Sequence, residues 1–303
     1  MNLPSAFLTR MQEMLGEEYE AFLQSYESGH YQSLRLNPRK TDREEFMEKS
    51  PFHLTPVAWE KNGFYYSEED TPGKHPYHEA GVYYIQEASA MAPVGYLDVQ
   101  PGDYVLDLCA APGGKTVLLA EQMQGTGILY ICDAAENRVG LIRTAVDRMG
   151  FTGVHTLCND ATKPNPALPM ADRILTDVPC SGLGILAKKP DLRYKKLEAD
   201  RQAELLATQA AILDTAAALL KAGGRLVYST CTIDPAENQQ QIAKLMKKIE
   251  GLDLDVDKLK DQAKDLYQKL ENLDFHVDKE SVGNFFTRII DAIVKFFQGL
   301  FGK

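Results

Sequence analysis

The sequence predicts an α/β protein built on a parallel, doubly wound sheet, with a smaller α+β N-terminal domain in front of it. Three observations carry this expectation. After "QPGD" at 100–103, five short β-prone segments alternate with helical stretches, the pattern of a parallel sheet covered by helices. A Gly-rich stretch, "LCAAPGGKT" at 108–116, follows the first segment. Acidic residues and cysteines gather at the segment ends: Asp107, Asp133, Asp160, Asp177, Cys180 and Cys231. Doubly wound sheets bind their ligands at that edge.

Taken in order, residues 3–27 carry apolar residues at three- and four-residue spacing, which predicts one or two amphipathic helices. "LRLNPRK" at 34–40 reads as a short strand, and 41–80, rich in Pro, Gly and acidic residues, as loop. "YYIQEASAMAPVGYLDV" at 83–99 reads as a strand and then a helix. The five sheet segments are 104–110, 127–133, 153–160, 173–179 and 224–231, with helices at 115–124, 136–149 and 197–221. The tail contains a charged helix-prone run, 257–273, and an amphipathic run, 285–301. The expected division is therefore an N-terminal domain over 1–98, the sheet domain over 99–250 and a helical tail over 251–303.

The bulk composition narrows the function classes. An apolar fraction of 44% and a charged fraction of 25% are ordinary for a globular chain. No segment resembles a signal peptide or a membrane span. Five cysteines without a CxxC pair argue against zinc, so no metal is expected, and they read as reduced thiols of a cytoplasmic protein. A net charge of −10 weighs mildly against a nucleic-acid partner, although a local basic groove is compatible with it.

The Gly-rich loop is not a phosphate loop. That motif needs Gly five positions before its Gly-Lys-Ser/Thr ending. Here Gly114-Lys115-Thr116 supplies the ending, but Cys109 stands where the first Gly belongs. A tight turn after strand one with an acidic residue ending strand two suits an adenosine-bearing cofactor. Asp133 is that residue, and NAD, FAD and S-adenosylmethionine remain open at this point. Asp107 is placed to meet a ligand ammonium group, and Asp160, at the third strand end, an adenine amino group. One strand-end Asp is usually a turn residue or a helix cap. Four in one sheet make that explanation weaker.

"TDVPCSGLG" at 176–184 and "YSTCTIDPAEN" at 228–238 each place a cysteine in a loop beside the cofactor's reactive end. A thiol there suggests a nucleophile, whereas Cys132 and Cys158 read as small packing residues. A thiol and a methyl donor together suit alkylation at carbon 5 of a pyrimidine, because thiolate addition at C6 makes C5 nucleophilic. Cytosine deamination needs a PCxxC ligand set, and Cys180 has no partner three residues on.

"LDLCAAPGGKT", "DVPCSGLG" and "LVYSTCTIDPAEN" closely resemble the motifs of the Sun-type, or Fmu-type, RNA cytosine-5 methyltransferases. "LRLNPRK" and "YYIQEASAMAP" resemble that family's N-terminal segment, and the likeness extends over residues 1–245. Val178 and Ala222 depart from the family's usual Ala and Pro. The resemblance implies a Rossmann-like class I S-adenosylmethionine-dependent methyltransferase domain. It implies cofactor binding by Cys109, Ala110, Ala111, Pro112, Gly113, Gly114 and Lys115, completed by Asp133, Arg138, Asp160 and Asp177. It also implies that Cys231 attacks the base and Cys180 assists product release, with Asp177 and Lys115 beside them. Lys115 is the expected cationic neighbour of the Cys231 thiolate.

The implied partner is RNA, with 16S rRNA or the small ribosomal subunit as the target, and the protein is expected to act as a monomer. Lys188, Lys189, Arg193, Lys195 and Lys196, together with Arg35, Arg39 and Lys40, are the expected phosphate contacts. Tyr83, Tyr84 and Tyr194 are candidates for stacking on bases. Two rivals stay open on the sequence: a DNA cytosine-5 methyltransferase, whose nucleophile lies in a Pro-Cys motif, and an rRNA assembly factor that binds the cofactor with little turnover.

Overall fold

A computed structural model describes residues 3–27, 31–194 and 199–250. The expected tail helices at 257–273 and 285–301, and Lys195 and Lys196, lie outside the described residues. The chain divides into two compact units, Met1–Gln241 and Ile242–Lys303. Every site residue named above belongs to the first.

That unit opens with α1 (Ser5–Leu15) and α2 (Tyr19–Ser25), as the periodicity predicts. Phe7 and Met11 on α1 are buried with Leu186, and Leu183, Leu192 and Ile233 pack around them. The N-terminal helices thus brace the two chain segments that follow Cys180 and Cys231. Arg10 of α1 pairs with the buried carboxylate of Asp234, adding a charged tie to the same segment.

An antiparallel sheet follows. It contains β1 (Gln32–Leu36), β2 (Leu54–Pro56), β3 (Gly63–Tyr66) and β4 (Tyr83–Ile85), in the order β2-β3-β1-β4. The 41–80 segment is therefore more ordered than its composition suggests. It holds α3 (Arg43–Lys49), β2, β3 and α4 (Pro76–Glu79). Asp42 caps α3 by accepting from the Glu45 N–H at 2.7 Å. Strands of three and four residues are too short for alternation to register against their Pro and Gly neighbours.

α5 (Ala88–Leu97) leads into the parallel sheet. Its strands are β5 (Tyr104–Asp107), β6 (Ile128–Asp133), β7 (Val154–Cys158), β8 (Ala171–Asp177) and β9 (Leu220–Ser229). The order is β7-β6-β5-β8-β9 with every pair parallel. The crossovers are α6 (Gly114–Gln122), α7 (Glu136–Met149) and α8 (Ala199–Leu219), and α9 (Gln239–Glu250) follows β9. Val105, Leu129, Ile131 and Leu175 pack one face against α5, α6 and α7, while Leu106, Ile174 and Cys132 pack the other with Ile212 and Ala216 of α8. Among the described residues no helix is long and apolar enough to cross a membrane.

The boundary expected near residue 98 separates two sheets of one compact unit. A buried polar tie joins them: Arg35 of β1 is fully buried and pairs with Glu121 of α6, whose other oxygen accepts from Asn62 at 2.7 Å. Arg35 is therefore not an RNA-facing residue, contrary to the sequence expectation. Its guanidinium is spent on holding the N-terminal sheet to the helix that starts at the Gly-rich loop.

Candidate active site

In the order β7-β6-β5-β8-β9, β5 and β8 are neighbours whose onward connections run to opposite sides. The crevice of such a sheet lies beyond the carboxyl ends of that pair. A cavity of about 220 Å³ occurs there, walled on one side by Asp107, Cys109, Ala110, Ala111, Pro112, Gly114, Lys115 and Asp177. Tyr84, Ile85, Gln86, Glu87 and Ala90, from β4 and the start of α5, form the other wall.

Asp107 sits in that wall with its side chain fully buried. Its Oδ2 accepts from Thr116 Oγ1 at 2.8 Å, while Oδ1 has no partner. Burial lifts this carboxyl from the usual 3.8 to about 7, because the charged form loses its hydration. A buried, half-satisfied carboxylate fits the ammonium end of an amino-acid-like ligand such as S-adenosylmethionine.

The Gly-rich loop is shaped for close approach. Gly113 has a φ of 108° at the start of α6, a conformation that glycine adopts without strain. At Gly114 a Cβ would stand 3.2 Å from the Tyr84 ring, so a side chain there would crowd the cavity wall. Asp133 holds the loop from behind. It is almost fully buried, accepts from the N–H groups of Ala111 (3.3 Å) and Ala135 (3.2 Å), and pairs with Arg138 at 3.3 Å. Arg138 also donates to the Ala111 carbonyl at 3.2 Å. Neither side chain lines the cavity itself.

Asp160 is placed differently from the other three. Its carboxylate accepts from Thr162 Oγ1 at 2.6 Å and the Thr162 N–H at 3.0 Å, and pairs with Lys163 at 2.9 Å. The Thr162 and Lys163 hydrogen bonds hold it at about 2. It is exposed, outside the cavity, and serves its own turn.

Lys115 Nζ pairs with Asp177 Oδ2 at 2.7 Å, and Asp177 Oδ1 accepts from Ser229 Oγ at 2.7 Å. Beyond this pair, Cys180 Sγ and Cys231 Sγ stand 3.0 Å apart, and the Cys231 N–H donates to Cys180 Sγ at 3.2 Å. Two thiols this close share a proton. The hydrogen bond from Cys180 lowers Cys231 to about 7, while the same bond raises Cys180. Burial raises Cys109 and carries Cys132 to about 12. The hydrogen bond from Cys180 favours the thiolate at Cys231, while the Cys231 N–H donated to Cys180 Sγ works the other way, lowering Cys180. Lys115 is not its cationic neighbour, since Asp177 holds it. The cation bearing on Cys231 is Lys189, opposed by Asp177.

Among the expected RNA contacts, Lys188 pairs with Glu87 and Arg193 donates to the Leu186 carbonyl at 2.9 Å, so both fasten the loop after Cys180. Arg39 and Lys40 are exposed, with Arg39 over the Phe151 ring. Tyr83 is fully buried and donates to the Pro72 carbonyl at 2.7 Å, so it is a core residue and not a stacking platform. Tyr84 lines the cavity. Gln86 and Glu87 lie inside "YYIQEASAMAP", but nothing in its pattern singles them out as site residues. They reach the crevice only because β4 pairs with β1.

The 16S rRNA methyltransferase RsmB/F family model matches residues 94–290, and a model for the N-terminal domain of 16S rRNA methyltransferase RsmF matches residues 3–88. Ribosomal RNA small subunit methyltransferase F of Erwinia tasmaniensis is 35% identical over 269 residues, covering 82% of this chain and 56% of the relative. Its counterpart in Escherichia coli O157:H7 is 36% identical over 248 residues, covering 78% and 52%. The chain thus spans about half the length of the curated relatives it matches. A solved methyltransferase homologue from Pyrococcus horikoshii superposes with a TM-score of 0.70 at 31% identity, covering 79% of this chain and 77% of that one. Motifs, sheet order and family models agree, and the chain belongs to the 16S rRNA methyltransferase RsmB/F family.

Proposed function

We propose that this protein transfers a methyl group from S-adenosylmethionine to carbon 5 of a cytosine in RNA, with 16S rRNA as the target. The observation that carries the reading is the thiol pair: Cys231 at about 7, hydrogen-bonded to Cys180 at 3.0 Å, next to the Lys115–Asp177 pair that lines the cavity. The names of the relatives point to small-subunit rRNA. The reaction needs reduced thiols, which supports a cytoplasmic setting.

S-adenosylmethionine supplies an electrophilic methyl group. Its amino-acid end is assigned to Asp107 and the loop from Cys109 to Lys115, which Asp133 and Arg138 hold in shape. The Cys231 thiolate adds to C6 of the base, and the electron pair of the C5–C6 bond becomes available at C5. Lys115, with donors to spare beyond Asp177, supports negative charge that develops on the polar edge of the ring. Methyl transfer leaves S-adenosylhomocysteine; a water molecule then takes the C5 proton, the C5–H electron pair re-forms the C5–C6 double bond, and Cys231 leaves as thiolate. Cys180, holding its proton, stabilises the departing thiolate through the hydrogen bond already present in the resting pair.

Labelled S-adenosylmethionine offered with an RNA pool and a DNA pool tests the substrate. Transfer to RNA is expected, and transfer to DNA alone refutes the reading. Cys231→Ala should abolish transfer and form no adduct. Cys180→Ala should accumulate a covalent RNA adduct, because breakdown of the intermediate is slowed and its formation is not. An adduct with Cys231→Ala and none with Cys180→Ala would reverse the two roles. Unchanged methylation in both would remove covalent catalysis.

A further inference from the structure

Two side chains outside the cavity lining hydrogen-bond the backbone on either side of Cys180. Gln209, on α8, is fully buried, and its Nε2 donates to the Pro179 carbonyl at 2.9 Å and to Glu237 Oε2 at 2.9 Å. Glu237, fully buried in the segment after β9, accepts the Ser181 N–H on the same oxygen at 2.8 Å. The backbone is therefore gripped on both sides of Cys180 by one Gln–Glu pair. Ser181 Oγ lies 2.8 Å from Thr232 Oγ1, which ties the residue after Cys180 to the residue after Cys231. Tyr228 fixes the far end of the device by donating to the Glu237 carbonyl at 2.6 Å.

The pair is not an economical way to fill a core. Gln209 Oε1 and Glu237 Oε1 are both buried without partners, and apolar side chains of similar volume are cheaper to bury than a partly satisfied polar pair. What the pair provides is direction: an acceptor for one peptide group and a donor for another, two residues apart.

We propose that Gln209 and Glu237 are positioning residues that hold the Cys180 thiol against Cys231 and so sustain the reactive form of the nucleophile. The inference rests on the roles given to the two thiols above. The titratable and charged groups bearing on Cys231 are Cys180, Asp177 and Lys189. Among these, the clamp acts on Cys180.

The test is the pH dependence of iodoacetamide alkylation of the full chain, read by mass spectrometry on the Cys231 peptide, without RNA. Wild type should show an inflection near neutrality, and Cys180→Ala should move it up by about one pH unit or more, towards an ordinary thiol. Glu237→Ala and Gln209→Ala should shift it the same way. Glu237→Gln should restore the wild-type inflection, because its amide oxygen still accepts from Ser181 and Gln209. Glu237→Ala should add nothing in a Cys180→Ala background. If Glu237→Ala does not fold, Gln209→Met, which keeps the volume and loses both donors, carries the same expectation. A shift with Cys180→Ala but none with the clamp variants overturns the clamp and leaves the thiol roles intact. No shift with Cys180→Ala overturns the thiol pairing itself, and the clamp with it.

Discussion

Replacing Asp107 by Asn isolates the cost of keeping a half-satisfied carboxylate in the cavity wall. The side chain is fully buried, one oxygen has a single hydroxyl donor and the other has none. Its carboxyl moves from 3.8 to about 7 on folding, which at about 1.4 kcal/mol per pH unit is roughly 4 kcal/mol. Because the folded value lies above the unfolded one, the contribution of Asp107 is most favourable below pH 4. It is lost as the pH rises towards 7. Between pH 5 and pH 8 the wild type should therefore lose about 3 kcal/mol that Asp107→Asn does not lose. At pH 8 the variant should be the more stable of the two, less the ~1–3 kcal/mol cost of an unpaired Asn amide. Urea unfolding of both proteins at half-unit pH steps measures the difference, since every other titrating group cancels. The same variant should bind S-adenosylhomocysteine more weakly, because the unpartnered Oδ1 is the atom assigned to the ligand's ammonium group. Parallel stability curves for the two proteins would show that Asp107 ionises in the empty site without penalty, and would refute the assignment.

Asp133→Ala should weaken S-adenosylhomocysteine binding by about 1.5–3 kcal/mol by calorimetry, as expected for loss of a charge-assisted set of hydrogen bonds. Tight magnesium-dependent ATP binding by the wild type would overturn the choice of cofactor. Gly184→Ala should slow methyl transfer by about 10–100-fold with little change in melting temperature. A Cβ at this exposed position would stand 2.9 Å from the Cys231 carbonyl and displace the nucleophile's backbone. Glu121→Ala should cost about 3–5 kcal/mol in chemical denaturation by stranding the buried Arg35, whereas Arg35→Met with Glu121→Leu should be far milder.

The parallel sheet was legible because its signals are local and repeated. Each strand is a short apolar run, all but β7 are followed by a helix, and the polar residues that break the pattern stand at strand ends. The antiparallel sheet was less so, because β2 and β3 have only three and four residues and draw their order from pairing, β3 with β1 and β2 with β3. Charge alone misled at Arg35, which stands one residue from two buried leucines in the same strand. Its neighbours already hinted at a residue inside the fold, but its partner Glu121 lies 86 positions away. Separation in sequence also hid the second wall of the cavity and the Gln209–Glu237 pair, whose members are 28 positions apart.

The two cysteines show where pattern ends and geometry begins. Their loops were visible in the sequence, yet nothing in "PCSG" or "STCT" says which thiol is the nucleophile. The difference arises from how the loops face each other. The two sulfurs lie 3.0 Å apart; with Cys180 donating its proton across that contact Cys231 is lowered and Cys180 raised, while the Cys231 N–H donated to Cys180 Sγ acts in the opposite direction on Cys180. That asymmetry depends on backbone held in place at residues 179 and 181 by α8 and by the segment after β9. The two segments meet only because β8 and β9 pair in register from Arg173 to Asp177. The chemistry assigned to two atoms is thus set by the alignment of the strands that precede them.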